Sequence, residues 1–455
     1  MLEKIALLEA EVARLQTENT DLRQRLNQNS QNSSQPPSSD RFKAKPAFPK
    51  SQDRLKGGQL GHPGKTLEMS ACPDQIVTLL PPAQCPCGAS LHTVPVILQE
   101  RRQVVDFPSP TLLVTEYQQY GCCCPSCQAK VTGVFPVGLS NHVQYGSGVL
   151  ALCTLLSTSF HLSCKHISQL FEDMYGQLLN EATVLSANSR AFQALEASEQ
   201  VIQSALLEAK VVHFDETGLA CEGRTHWLHC ASTPLFTYLF VHAKRGLKAL
   251  QSPASLVNHF KHWALHDCWR SYFTFKDCFH ALCNAHLIRQ LQALIEGGSA
   301  WAIARLALLW QLYHHSDKGK GQIADLSPYL TQYDHICTLA DQEEPPPTYA
   351  CRGKPKRSKG RNLLKRLLTH KNSVVAFARY DFVPFTNNQA ERDIRPVKGK
   401  IKTAGCFRTI TGANHYARIE GFISTARKQR KSVFNELKNA YSGSTFLTPH
   451  LYPAK

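Results

Sequence analysis

The sequence predicts a multidomain α+β protein. Its expected parts are an N-terminal coiled-coil helix, a small zinc-binding β module, a helical region, and an α/β core interrupted by a helical insertion. Three observations carry this. At 455 residues the chain exceeds one ordinary core and fits roughly three domains. Hydrophobic spacing changes along it, from a heptad to alternation to helical periods. The 17 cysteines include two close pairs among strand-like runs. A 43% hydrophobic content is enough to fill real cores.

Charge narrows the partner. Lys and Arg number 51 against 35 Asp and Glu, a net +16. Nucleic acid is the commonest partner for such an excess. No apolar run reaches the roughly 18–20 residues of a membrane span. The start, MLEKIALLEAEVARL, is charged every few residues and does not read as an export signal. A cytoplasmic setting is expected, with reduced thiols and with paired cysteines as metal ligands rather than disulfides.

The elements follow in order. In residues 1–28, Ile5, Leu8, Val12, Leu15, Asn19, Leu22 and Leu26 alternate by three and four, a heptad seam. Asn19 at an a position favours one register and two strands, so a homodimer through residues 2–28 is expected. Residues 29–69 form a flexible, basic linker: NSQNSSQPPSSD cannot bury a core, and the Lys, Arg, Gly and Pro that follow suit either a solvated tether or an arm along phosphates. Residues 70–135 read as a Cys-rich module, with strand-like runs at 75–80, 94–105 and 111–117 among turns carrying Cys85, Cys87, Cys124 and Cys127. Four thiolates around Zn²⁺ would replace the core that so short a module lacks. The first pair has a single residue between its cysteines, so Cys72, His92, Cys122 or Cys123 stand as substitutes.

Residues 143–210 read as helical, with runs at 165–175 and 178–194 split by Gly176. Either a DNA-binding helix-turn-helix or an αα-hairpin within a core fits. Residues 211–280 give three strand-like runs, 211–215, 226–232 and 235–242, then a helix-like run at 247–260 and a fourth strand at 263–267, an α/β order. Residues 281–386 are mainly helical, with runs at 281–296, 300–315 and 363–380. Residues 387–441 are helical and basic, and 442–455 are a tail. The stretch 352–366 holds eight Lys or Arg and no acid, fitting a solvated loop or a DNA-backbone clamp.

Chemistry concentrates on three acids. In the first strand His213 and Asp215 share one face, and Glu216 falls on the other. Asp267 ends the fourth apolar strand. Two Asp at the ends of neighbouring strands suit a shared Mg²⁺ or Mn²⁺. Glu391 sits on a helix starting near Gln389 and capped by Asn387 or Asn388. It shares a face with Arg395, and a surface ion pair is the plain alternative. From 391 to 431 there are eleven Lys or Arg against three acids. A carboxylate in that setting would repel phosphates unless a metal lay between them. Asp215, Asp267 and Glu391 thus form a candidate triad for two metal ions and phosphodiester chemistry, with Arg392, Arg395, Lys398, Lys400, Lys402 and Arg408 positioning the backbone. Cys283 and His286, three apart on one helix face, fit a structural, metal or DNA-positioning role.

The segments HFDETGL (213–219), HDCWRSYF (266–273), CNAHLIRQL (283–291) and NNQAERDIRPVKGKIKTAGCFRT (387–409) resemble the signature blocks of transposases of the insertion sequence 66 family. The resemblance covers nearly the whole chain, including the zipper-like start, GGQLGHPGKTL (57–67) and the Cys-rich module. It implies a DDE transposase with an RNase H-like catalytic core, in which Asp215, Asp267 and Glu391 match the catalytic Asp, Asp and Glu. The helices between Asp267 and Glu391 match the family's insertion domain. It further implies Mg²⁺-dependent 3′-end cleavage and strand transfer of a bacterial insertion sequence. The implied partners are double-stranded DNA, as element ends and target, and small accessory proteins, in a nucleoid-associated setting. Cys85-Pro-Cys87 departs from the family's usual two-residue gap, which touches the zinc ligands and not the triad. A DNA-binding regulator without catalysis and a structure-specific nuclease are the rival readings.

Overall fold

The computed structural model describes residues 67–136, 138–346 and 357–447, with single residues between Lys4 and Asn32. Most of the expected linker, GGQLGHPGKTL up to its last residue, 352–356 of the basic run and 448–455 of the tail lie outside the described residues. The chain divides into two compact units, 44–116 and the remainder.

Described residues at the start, among them Ile5, Leu8, Val12, Leu15 and Leu22, are helical, and these five seam side chains are 46–60% exposed. The Cys-rich region differs from expectation. The runs at 75–80, 94–105 and 111–117 form no strands; the strands here are β1 (Gly121–Cys123) and β2 (Lys130–Thr132), a short antiparallel hairpin. Large side chains such as Ile76, Leu79, Val104 and Leu113 are exposed. With no sheet or helix to cover one face, alternation alone cannot hold a ladder.

The larger unit is built on a five-stranded sheet. Its strands are β3 (Val211–Cys221), β4 (Arg224–Ser232), β5 (Thr237–His242), β6 (Trp263–His266) and β7 (Phe279–Leu282), in spatial order β5-β4-β3-β6-β7. β3, β4 and β5 form an antiparallel meander, and β6 and β7 add in parallel. Glu222 and Gly223 both have positive φ, 52° and 70°. Such a two-residue turn matches strand twist and lets β3 run straight back into β4. β3 therefore extends six residues past Asp215, and Asp215 is mid-strand rather than terminal as the sequence suggested.

Helices α1 (Ser147–Thr158), α2 (Cys164–Tyr175), α3 (Glu181–Ala194) and α4 (Glu196–Leu207) precede the sheet. Ser163 and Asn180 cap α2 and α3 by accepting backbone N–H bonds, and Gly176 ends α2 at φ 66°. Ile202 and Leu206 of α4 pack on Val212 and Phe214, one face of β3. Beyond β7 come α5 (Asn284–Ile295), α6 (Ala300–His315), α7 (Ser327–Glu343) and α8 (Lys359–Thr369), which bury Leu265, Ala281 and Leu282 at the β6–β7 edge. The other face of β3, Leu219 and Cys221, is covered by α9 (Asn388–Ala404) and α10 (Ile410–Lys428); α11 (Val433–Ala440) closes the chain. Gly421 lets α10 approach closely, since a Cβ there would lie 3.1 Å from the Thr237 carbonyl oxygen.

Other runs shift. The helix expected at 247–260 is one turn, Leu247–Leu250, and a 3₁₀ turn at Leu256–Asn258; Pro253 forbids a continuous helix. The helix expected from 281 begins at Asn284, and Ala281 and Leu282 end β7 instead: so short an apolar run does not separate strand from helix by period. α7, with Pro328 in its first turn, falls within the helical stretch 281–386 but between the runs named there.

Candidate functional site

Strand register brings the two aspartates together. β3 pairs in parallel with β6 at Val211↔Trp263, Val212↔Ala264 and His213↔Leu265. Carried two residues further, that register sets Asp215 beside Asp267. Asp267 follows β6 directly, accepts the Trp269 N–H at 3.0 Å, and precedes Cys268, whose φ of 73° turns the chain away from the sheet. Alternation sends Asp215 to the face covered by α9 and Glu216 to the opposite face. Burial pushes the Asp215 carboxyl well above the usual carboxylate range, and the neighbouring charges of Glu216, Asp267 and Glu391 push it further.

Glu391 arrives from the first turn of α9. The cap differs from expectation: the Asn387 side chain makes no helix cap. Its amide nitrogen donates to the Phe214 carbonyl at 2.8 Å, and its oxygen lies 3.0 Å from His213 Nδ1. Burial holds His213 down to about 4, so the ring is neutral and its Nδ1–H donates. One side chain thus bolts the start of α9 to β3, one residue from Asp215. The Asn387 N–H donates to Cys283 Sγ at 3.1 Å, and the Asn284 N–H donates to the Phe385 carbonyl, so the starts of α5 and α9 are stitched together. Among the described residues Glu391 forms no ion pair with Arg395; its Oε1 lies 3.8 Å from His286 Nδ1. Cys283, His286 and Glu391 each place one ligand atom within 4.8 Å of the others.

Comparison with known proteins decides what this scaffold belongs to. The model of the Transposase IS66 family matches residues 142–415, more than half of the chain. The chain belongs to that family. A second model, a family of unknown function (DUF6444), matches residues 2–68. No curated protein matches the chain. Membership carries a DNA transposase role, with DNA cutting and strand transfer as its enzymatic activity and DNA as its partner.

In this transposase two further features escaped the sequence reading. Glu216 is buried, accepts from Arg245 at 2.7 Å and from the Tyr272 hydroxyl at 2.7 Å, and is pushed up by burial and by Asp267. Arg245 lies between the rings of Trp227 and Trp269, at 5.0 and 4.4 Å. The signal was an acid beside Asp215 in HFDETGL, but nothing in spacing links it to Arg245 or the tryptophans. Of the basic candidates, Arg392, Arg395, Lys398, Lys402 and Arg408 are exposed. Lys398 Nζ donates to the Gly218 carbonyl at 3.2 Å, three residues from Asp215, and burial holds it down while Asp215 lifts it. Lys400, half-buried, donates from Nζ to the Ser157 carbonyl at 3.0 Å and so braces α9 to α1.

The cysteine pairs sit on separate turns. Cys85 donates its N–H to Ala89 O at 2.9 Å, and Gly88 closes that turn on Cys85 O at φ 89°. Cys124 donates its N–H to Ala129 O at 2.9 Å at the end of the β1–β2 hairpin. The Cys87 thiol is held below its usual value first by backbone hydrogen bonding at Ala89 and then by the Cys85 thiol. The Cys124 thiol is held down by the backbone of Cys127 and Ser126 and by the Cys127 thiol. Thiols poised in this way suit a soft cation. Among the described residues no helix is long and apolar enough to cross a membrane.

Proposed function

We propose that this transposase is a DDE enzyme in which Asp215, Asp267 and Glu391 hold two Mg²⁺ or Mn²⁺ ions, cleave the 3′ ends of a bacterial insertion sequence and transfer them to target DNA. The observation that carries the reading is the parallel β3–β6 register, which carried two residues further sets Asp215 beside Asp267, with negative charge from Glu216, Asp267 and Glu391 around a buried Asp215. A divalent cation relieves that repulsion, and oxygen-only donors suit hard ions. When bound, such ions activate the attacking water or 3′-hydroxyl and stabilise the leaving oxygen.

The chain's own residues supply the rest. β3 and β6 fix two carboxylates on one rung, and Asn387 fixes the helix that brings the third. Exposed Arg392, Arg395, Lys398, Lys402 and Arg408 neutralise phosphates without reading sequence. A three-stranded antiparallel meander extended by two parallel strands supports an RNase H-like core, and α5 to α8, inserted between β7 and α9, support an insertion domain. The exposed heptad seam supports a homodimer through residues 2–28. The lowered Cys87 and Cys124 thiols support structural Zn²⁺ on Cys85, Cys87, Cys124 and Cys127. The α2–α3 pair supports a DNA-binding helix-turn-helix. We place the enzyme in the bacterial cytoplasm at the nucleoid, acting with accessory proteins.

The test is Mg²⁺-dependent cleavage of end-containing DNA. Asp215→Ala, Asp267→Ala and Glu391→Ala should each lose at least about 10³-fold, about 4 kcal/mol of barrier. Wild-type rates in all three would remove the triad from the mechanism. Cleavage without joining to a second duplex would favour a nuclease.

A further inference from the structure

Two side chains outside the proposed triad, Cys283 and His286, lie close to its Glu391. Cys283 sits at the N-cap of α5 and His286 in its first turn, so the two side chains project from one end of one helix. Glu391 enters from the first turn of α9. His286 Nδ1 and Glu391 Oε1 are both buried without a hydrogen-bond partner, 3.8 Å apart. Two buried polar atoms left facing each other are costly unless something satisfies both.

We propose that Cys283, His286 and Glu391 bind one Zn²⁺-class ion, and that zinc held there withdraws Glu391 from the Mg²⁺ triad and silences the enzyme. The second half rests on the triad reading; the first rests on the donor set alone.

The chemistry of the donors selects the ion. A thiol sulfur, an imidazole nitrogen and one carboxylate oxygen form a set that zinc accepts and Mg²⁺ does not favour. Tetrahedral zinc bonds of about 2.0–2.3 Å put donors about 3.3–3.8 Å apart. The His286–Glu391 separation of 3.8 Å already meets that, and all three donors lie within 4.8 Å, so side-chain adjustment of about an ångström closes the set. Neutral imidazole is the form of histidine that ligates zinc. The Asn387 N–H on Cys283 Sγ orients the sulfur. A cysteine binds zinc as the thiolate, so ligation costs the sulfur its proton. Binding therefore forms a Zn–S bond, breaks the S–H bond and delivers one proton to the buffer. With three protein ligands and Arg289 nearby, affinity should fall below that of a four-thiolate site.

The experiment uses the full chain and Zn²⁺ itself, with Co²⁺ as a spectroscopic stand-in. Wild type should take up one more equivalent of Zn²⁺ than Cys283→Ser or His286→Gln, releasing one more proton, and its Co²⁺ form should show the larger thiolate charge-transfer band. His286→Gln keeps the buried sulfur, so a folding failure of Cys283→Ser does not decide the matter. Equal uptake and equal spectra in wild type and His286→Gln overturn the site. In the second arm, added Zn²⁺ should inhibit Mg²⁺-dependent cleavage at least tenfold more strongly in wild type than in His286→Gln, each compared with its own zinc-free rate. Extra uptake with equal inhibition overturns the withdrawal of Glu391. Extra uptake in a wild type that cleaves nothing at any metal ratio fails the triad reading and leaves the zinc site standing.

Discussion

The Cys-rich region and the sheet core use one residue type in opposite ways. Cys283 is 2% exposed and its thiol is pushed up to about 11, whereas Cys87 and Cys124 lie on turns whose hydrogen bonding holds them down. In the core, order comes from apolar burial: Leu206, Leu265 and Leu291 are fully covered, each worth about 1.5–3 kcal/mol. In the same region Val104, Phe107 and Leu113 are about 90% exposed, so burial stabilises little there. A region that leaves its large side chains uncovered gains little from burial, and a ligand on its thiols, as proposed above, would supply order that burial does not.

The sharpest break of that contrast is metal removal. If the proposed Zn²⁺ orders this region, stripping it, or Cys124→Ser with Cys127→Ser, should speed proteolysis within residues 70–135 by more than about tenfold, because metal binding would supply folding energy there. Cleavage within 143–447 should hardly change. If both regions open together, the Cys-rich turns are part of the core's stability and the contrast falls.

The same logic separates the N-terminal helix from the core. Its exposed Leu8, Val12 and Leu15 would be covered by a second chain rather than a metal. Leu15→Asp should weaken self-association about 10²-fold or more in sedimentation equilibrium, since two buried charges face each other across the seam. The melting temperature of the core should stay put. A variant that remains dimeric at wild-type concentrations would place the interface elsewhere.

What the sequence made legible follows the same division. Local, periodic signals carried: α2 and α3 around Gly176, α6, and β3, β4 and β6, which dictated that Asp215 and Asp267 lie on neighbouring strands. Signals that depend on a distant partner did not. The extension of β3 past Asp215 rests on the Glu222–Gly223 turn, and β7 is strand only because β6 pairs with it. Asn387 reads as a cap, yet its side chain is spent on His213 and Phe214, 173 residues or more away. The Arg245–Glu216–Tyr272 cluster, and the orphaned Glu391–His286 pair, join segments whose proximity no spacing encodes. The strands read into 75–117 failed for the converse reason: the pattern was present and the surface to cover it was not.

The smallest effect distinguishes the regions by pH. Glu420 in α10 is 2% exposed, its Oε2 has no hydrogen-bond partner, and burial pushes its carboxyl up to about 8, with Asp393 adding and Arg427 opposing. The sign follows from proton counts. Between about 4.5 and about 8 the unfolded chain has lost this proton and the folded chain keeps it. Stability therefore falls as pH rises through that window and levels off above it. Glu420→Gln carries no ionisable group and should lack this component. Measured by urea unfolding, the wild type should lose up to about 4 kcal/mol more than the variant between pH 5 and pH 8. Identical slopes would mean that Glu420 is ionised in the fold and paired after all. Proteolysis within 70–135, where no buried carboxylate stands, should not track this pH window in either protein; if it does, the two regions share one stability and the distinction between them must be abandoned.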